Sequence, residues 1–212
     1  MYVAPPHRLT DRAAIHALID AHPLGAWVCL GSGGLIANHI PFLLDRDRGP
    51  LGALVGHVSR ANPVWRECGA ATPSVVMFRG AQAYVTPGWY PGRAAHGRVV
   101  PTWNYAAAHV HGVARVVEDR AWMLDLLGRL TTRHESGRTM PWRIEEAPAA
   151  YIEAMLDAIV GIEIPIDRLE AKLKASQDEA LPDRLGTAEG LEQAASDEAR
   201  AMARLVRLAI GP

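Results

Sequence analysis

The sequence predicts an α+β fold dominated by β, a small closed or partly open barrel with peripheral helices. About seven short strand-like runs are broken by turn residues. The helix of roughly 10–15 residues that alternating β/α folds place after every strand is missing, which argues against a parallel sheet. With 212 residues, 49% hydrophobic and 21% charged, the chain can bury a substantial core, as a domain or a domain with an appendage.

Each element has a local reason. Thr10 and Asp11 can cap a helix through about His22, with Ala14, Ile15, Leu18 and Ile19 on one face. Ala26–Leu30, the turn Gly31–Gly34 and Leu35–Leu44 read as a hairpin, in which Pro41 marks an edge, a bulge or a strand end. Leu51–Val58 is a further strand. Ser59 or Asn62 can then cap a short helix through about Cys68, with Pro63 in its first turn. Ser74–Phe78 and Ala83–Thr86 read as a second hairpin, Pro87–Gly97 as a loop, Val99–Tyr105 as extended chain and Val110–Val117 as a strand. Asp119 can cap a helix from Arg120 to about His134, and a shorter helix is expected near Ala149–Asp157. Ile159–Lys174 alternates like a strand, and Thr187–Ile210 like an amphipathic helix.

Composition narrows the function. The formal net charge of −1 weighs against a protein that holds nucleic acid through a general positive field. Cys29 and Cys68 are too few for a disulfide scaffold or a Cys-rich zinc site and suit a reducing cytoplasm. No run approaches the ~18 apolar residues of a membrane span, and the first residues do not resemble a secretory signal. The expectation is a cytoplasmic protein. Lys172 and Lys174 are the only lysines, and six of the 13 aromatic residues fall between Phe78 and Tyr105.

Three segments carry possible chemistry. At Gly56–Pro63 a strand runs into a helix start, where free N–H groups, the Ser59 hydroxyl and the Arg60 guanidinium suit a phosphate. The competing reading is an ordinary helix cap with a surface arginine. Tyr84–Tyr90 and Val100–Tyr105 combine flat rings with Thr and Asn, as a planar heteroaromatic ligand needs, although core or interface packing uses the same residues. Lys172, Lys174, Ser176 and Gln177 cluster at the end of the last strand, where lysines also serve to guard an edge. His109 and His111 lack a third ligand at a recognisable spacing, so no metal site is assigned. No nucleophile elbow, phosphate loop or dinucleotide glycine motif occurs.

Taken in order, Met1-Tyr2 with Pro5-Pro6-His7, His39–Asp45, Gly56–Pro63, Tyr84–Tyr90, Val100–Tyr105 and Lys174–Gln177 resemble the PaiB family, described as FMN-binding negative transcriptional regulators of bacteria. The resemblance implies an FMN-binding split β-barrel related to the pyridoxamine phosphate oxidases, a homodimer with flavin between subunits. It implies a barrel domain over 1–177 and a C-terminal helical extension over 178–212 packed on it. It also implies that Ser59, Arg60 and Asn62 lie at the FMN phosphate, that His57 belongs to the cofactor site, that Trp103 and Asn104 flank the ring, and that Lys174 and Gln177 come from the closing strand. Repression of degradative-enzyme and sporulation genes follows from the family description, so DNA is an implied partner that the charge does not support. The alternative is a flavin-dependent oxidoreductase or haem-handling enzyme without direct DNA binding. No catalytic residue is assigned, although His57, His109 and Tyr105 have the chemistry of proton donors. Three positions depart from the family: Arg8 stands where an aromatic residue is usual, and Asp178-Glu179 stand where Asn-Arg is expected.

Overall fold

A computed structural model describes residues 1–68 and 72–211. The chain runs β1 (Arg8–Leu9), α1 (Arg12–Ala21), β2 (Leu24–Gly31), β3 (Gly34–Pro41), β4 (Leu43–Asp45), β5 (Ala53–Ser59), α2 (Val64–Glu67), β6 (Pro73–Val85), α3 (Gly92–His96), β7 (Thr102–Val113), β8 (Arg115–Val117), α4 (Arg120–Glu135), α5 (Ala149–Asp157), β9 (Ile159–Pro165), β10 (Arg168–Lys174), α6 (Leu181–Gln193) and α7 (Asp197–Ile210). Short 3₁₀ turns occupy Pro5–His7, Pro87–Trp89 and Ile144–Glu146.

These elements form two compact units, the first made of Met1–His22, Phe78–His109 and Glu170–Pro212, the second of Pro23–Met77 and Val110–Leu169. Strands β6, β7 and β10 each contribute one part to each unit.

In the first unit the strand order is β1-β10-β7-β6, with Arg8 opposite Lys172 and Leu9 opposite Ala171 in an antiparallel pair. Asp11 caps α1, its carboxylate accepting from the Ala13 and Ala14 amides at 3.1 and 3.3 Å. Ile15 and Ile19 of α1 are buried. Helices α6 and α7 close over a core of Ala81, Ala83, Ala175, Ala188, Leu191, Met202 and Val206. The expected single helix over 187–210 is instead two: α6 ends where Ala194 turns extended, and Ser196 caps α7, accepting from the Ala199 amide at 3.3 Å. Gly186 and Gly190 share one face of α6, where the Trp89 turn lies against the helix backbone. A Cβ at 186 would fall 2.0 Å from the Trp89 carbonyl oxygen, and one at 190 would fall 2.3 Å from the Trp89 ring.

In the second unit β2 pairs antiparallel with β3 and with the first part of β6. A four-stranded sheet follows the order β4-β5-β9-β8. The run 35–44 divides at Phe42: Pro41 ends β3, and Leu43–Asp45 pairs with Ala53–Val55 in the other sheet. Asp119 caps α4 by accepting from the Trp122 amide at 2.7 Å. Leu43, Val55, Met123, Leu126 and Leu156 form the core beneath α4 and α5.

Three further expectations are corrected. The hairpin predicted across 74–86 is one continuous strand, β6, because Gly80 is not a turn: a Cβ there would lie 2.5 Å from Leu18 Cδ1, and its absence makes room for that side chain. Ile159–Lys174 is two strands, separated where the Ile166 and Asp167 amides bond to the Gly52 and His111 carbonyls. The described strands number ten, where about seven were expected. The cysteines are also paired: Cys29 and Cys68 form a disulfide with their Cα atoms 6.0 Å apart, a crosslink that the reducing-compartment reading did not foresee.

Two stability predictions follow from this packing. Gly190→Ala should lower the unfolding free energy by about 1–3 kcal/mol through overpacking against Trp89, as read by denaturant titration, and an unchanged midpoint would contradict the packing. Reduction of the Cys29–Cys68 bond, whose partners are 39 positions apart, should cost about 4 kcal/mol in the same titration by freeing a long unfolded loop. Thiol titration of unreduced, denatured protein should find no free cysteine.

Candidate functional site

In the first unit the end of β10 turns into a buried polar corner. Asn104, on β7, is fully buried. Its Nδ2 donates to Ser176 Oγ at 2.8 Å, while its Oδ1 accepts no hydrogen bond among the described residues. A buried carbonyl oxygen left this way costs about 1–3 kcal/mol, so a donor arriving from a ligand would recover that penalty. Ser176 is itself buried and is held at φ 59°, a left-handed conformation that is uncommon for any residue but glycine.

Gln177 holds that turn in place. Its Oε1 accepts from the Ala175 amide and its Nε2 donates to the Leu173 carbonyl, both at 2.6 Å. The buried ring of His7 is bonded through Nδ1 to the same Oε1 at 3.1 Å and lies 3.4 Å through Nε2 from the Asp178 carboxylate. Lys174 Nζ donates to Thr102 Oγ1. Lys172 is nearly buried, with Nζ 4.9 Å from the centre of the Tyr105 ring, a cation–π distance.

Trp103 lies on the other face of β7 from Asn104, as consecutive strand residues must. It is 49% exposed, donates from Nε1 to Gln82 Oε1 at 3.0 Å, and meets the Tyr84 ring at 6.1 Å between centroids. Asn104, Lys174 and Gln177 therefore gather around one turn, and Trp103 stands apart with Tyr84.

The acidic departure at 178–179 has an electrostatic consequence. Burial, together with Asp178 and Asp183, raises the Glu179 carboxyl above its ordinary value, with Lys174 opposing. Tyr90 is 4% exposed, and burial first, then the charge of Glu179, pushes its phenol up to about 12. Asp183 is occupied at α3, where it accepts from the Gly92 amide at 2.8 Å.

The second unit holds the other four residues. His57 and Ser59 are on β5. Burial lowers the His57 pKa, so the ring is neutral at pH 7, and its Nδ1 is buried without a hydrogen-bond partner among the described residues. Ser59 Oγ accepts from the Ala61 amide at 3.3 Å, which leaves its hydroxyl proton free to donate. Asn62 spends its side chain internally, giving to Asn38 Oδ1 at 2.8 Å and accepting from the Val64 amide at 3.0 Å, so it is the residue that caps α2.

Arg60 is clamped in place. Nε donates to the Asp157 carbonyl at 2.9 Å, Nη1 to Glu118 at 2.8 Å and Nη2 to the Ile159 carbonyl at 3.1 Å. An N–H on each Nη remains for another acceptor, but Glu118 already neutralises much of the charge a phosphate would seek. The α2 helix is only four residues long, so its macrodipole is slight.

Sequence reasoning left His7 outside the site, and it held Thr102 and Tyr90 within the aromatic segments without singling them out. Their signal lay in the Pro-Pro-His opening and in the hydroxyl groups of the aromatic segment, but long-range partners such as His7 with Gln177 have no mark in the local pattern.

The first unit thus presents a buried amide with an unmatched carbonyl oxygen and a lysine at the end of the neighbouring strand. Residues 1–168 match the family described as "Putative FMN-binding domain", and the chain belongs to that family, of the PaiB type. "Protease synthase and sporulation protein PAI 2" of Bacillus subtilis is 28% identical over 206 residues, covering 97% of this chain and 96% of the relative. A fungal protein of Emericella nidulans, AN0679, is 32% identical over 242 residues, covering 98% and 96%.

Among solved structures, the FAD and heme binding protein of Mycobacterium smegmatis aligns with a TM-score of 0.60 at 23% identity, covering 79% of this chain and 73% of that one. The flavocytochrome Anf3 of Azotobacter vinelandii aligns with a TM-score of 0.56 at 16% identity, covering 77% and 67%. The fold is thus the α+β split barrel expected, and the cofactor is a flavin, FMN by family. The unsatisfied Asn104 oxygen fits such a group, whose ring edge carries N–H donors. No helix among the described residues is long and apolar enough to cross a membrane.

The raised Tyr90 pKa gives a pH prediction. The folded phenol near 12 lies above the ordinary value of 10.0, so the folded state keeps its proton longer than the unfolded chain. That contribution is complete below pH 10 and is lost as pH rises toward 12. Denaturant midpoints measured from pH 8 upward should fall across this window, and Tyr90→Phe should flatten the fall. An identical slope in the variant would refute the assignment.

Proposed function

We propose that this protein is a flavin-dependent sensor that acts as a negative regulator of transcription, with FMN as its resident ligand. The unsatisfied carbonyl of buried Asn104 beside Lys174 carries the reading. In this reading Asn104 accepts from the ring edge, and Lys174 and Gln177 define the polar wall around it. Trp103, with Tyr84, offers a stacking surface. Ser59 donates to the phosphate, with the remaining Arg60 N–H groups beside it. His57, a neutral ring, and Asn62, the cap of the short helix, belong to the same unit as Ser59 and Arg60. When bound, the flavin supplies the redox chemistry, and the chain orients it and excludes water.

Because Asn104 and Trp103 occupy opposite faces of β7, the reading has a functional homodimer, in which the face that one copy does not use for its own flavin serves the other. The relative from Bacillus subtilis, named for protease synthesis and sporulation, supports the regulatory role. The balanced charge favours action through flavin or metabolite chemistry over tight, direct DNA binding. The oxidoreductase reading is supported by the flavocytochrome with the same fold.

Titration of purified protein with FMN tests the site. Wild-type protein should quench flavin fluorescence saturably at micromolar concentrations. Asn104→Ala and Lys174→Ala should each weaken binding by about tenfold or more while the circular dichroism spectrum is kept. No quenching by the wild type, or full affinity in both folded variants, would overturn the proposed site. Turnover of NADPH by the FMN-loaded protein would favour the oxidoreductase over the sensor.

A further inference from the structure

The first unit also contains an apolar cleft of about 440 Å³. Ala81 on β6, Ala106 on β7 and Leu173 on β10 form its floor. Ala17 and Leu18 of α1 make one wall, and Ala201 and Leu205 of α7 make the other. The depth comes from truncated side chains, since alanine stands at floor and wall positions where β6 is otherwise tightly packed: at the neighbouring Gly80, Leu18 already fills the space of a Cβ. A volume of this size lies within the range of small-molecule pockets, about 300–1,000 Å³.

One feature selects the ligand. No carboxylate lines the cleft, and His22 is the only lining residue with a polar side chain. Arg204 stands three positions after Ala201 and four before Leu208, on the same face of α7, and is exposed. Its neighbours at three and four positions in either direction are Arg200, Ala201, Arg207 and Leu208, so the helix provides no acidic partner. A cation on the helix face that walls an apolar cleft complements a molecule with an apolar body and one anionic end.

We propose that this cleft binds a small amphipathic acid, an alkyl or aryl carboxylate, with its body between α1 and α7 and its carboxylate at Arg204. None of the residues lining the cleft is assigned to the flavin, although Leu173 precedes Lys174 and its carbonyl accepts from Gln177.

Calorimetric titration with decanoate, and with decanol as the uncharged probe, tests this on the full-length protein. Decanoate should bind saturably and more tightly than decanol. Arg204→Gln should weaken decanoate by about three- to tenfold and leave decanol unchanged. Ala17→Phe should abolish both by filling the cleft. Leu208→Asp is the second variant, at a residue 76% exposed and therefore harmless to folding, and it should weaken both probes. Absence of saturable decanoate binding to the wild type, equal loss of both probes in Arg204→Gln, or unchanged binding in folded Ala17→Phe would overturn the proposal. So would sedimentation showing a dimer that Leu208→Asp separates and that binds neither probe, because the cleft would then be covered by a second copy.

Discussion

A buried amide with one half satisfied governs the first unit. Asn104 gives its N–H to Ser176 and keeps an unmatched carbonyl in a region closed to water. That arrangement is tolerable only if Ser176 stays where it is, and Ser176 stays in a left-handed conformation because Gln177 bonds back to residues 173 and 175. His7 then fixes Gln177 from the start of the chain. A polar network with one open position is costly in an apolar interior, and a ligand that supplies the missing donor closes it. The family's flavin fits that requirement.

The second unit works differently. Arg60 is locked by two backbone carbonyls and Glu118 and also lies 5.8 Å from the Trp65 ring centre, so its plane is set before any ligand arrives. Such pre-organisation lowers the entropy cost of binding, while Glu118 lowers the net charge available to a phosphate. Asn62 caps the short helix and is bonded to Asn38, which makes it a positioning residue. The departure at Asp178-Glu179 adds negative charge near Lys174, and burial first, with these charges second, raises the Glu179 and Tyr90 pKa values. This chain therefore depends on Lys174 for the positive potential at that corner more than a relative with Asn-Arg would.

Much of the helical part was legible in the sequence. Asp11 and Asp119 are good caps and act as such, and α5 begins and ends where its pattern does, whereas Ser196, read inside one helix, caps a second. The strands were harder because their ends are decided by partners. Nothing local distinguishes Gly80 as an interior strand residue until Leu18 is seen to fill its space. Phe42 and Ile166 interrupt apolar runs that look continuous, since each run feeds two strands. The candidate site was legible as segments and not as geometry: alternation alone separates Trp103 from Asn104, while the His7–Gln177 bond joins positions 170 apart. The disulfide was hidden for the same reason, since a cysteine count says nothing of proximity.

The claim on which the account stands is that FMN meets the carbonyl of Asn104. The most direct measurement is the side-chain amide resonance of Asn104 in a ¹⁵N–¹H spectrum, assigned through its loss in Asn104→Ala and followed during FMN addition. The account predicts a saturable shift of that resonance at the same flavin concentration that quenches fluorescence. Saturated flavin binding with the Asn104 resonance unmoved would contradict it.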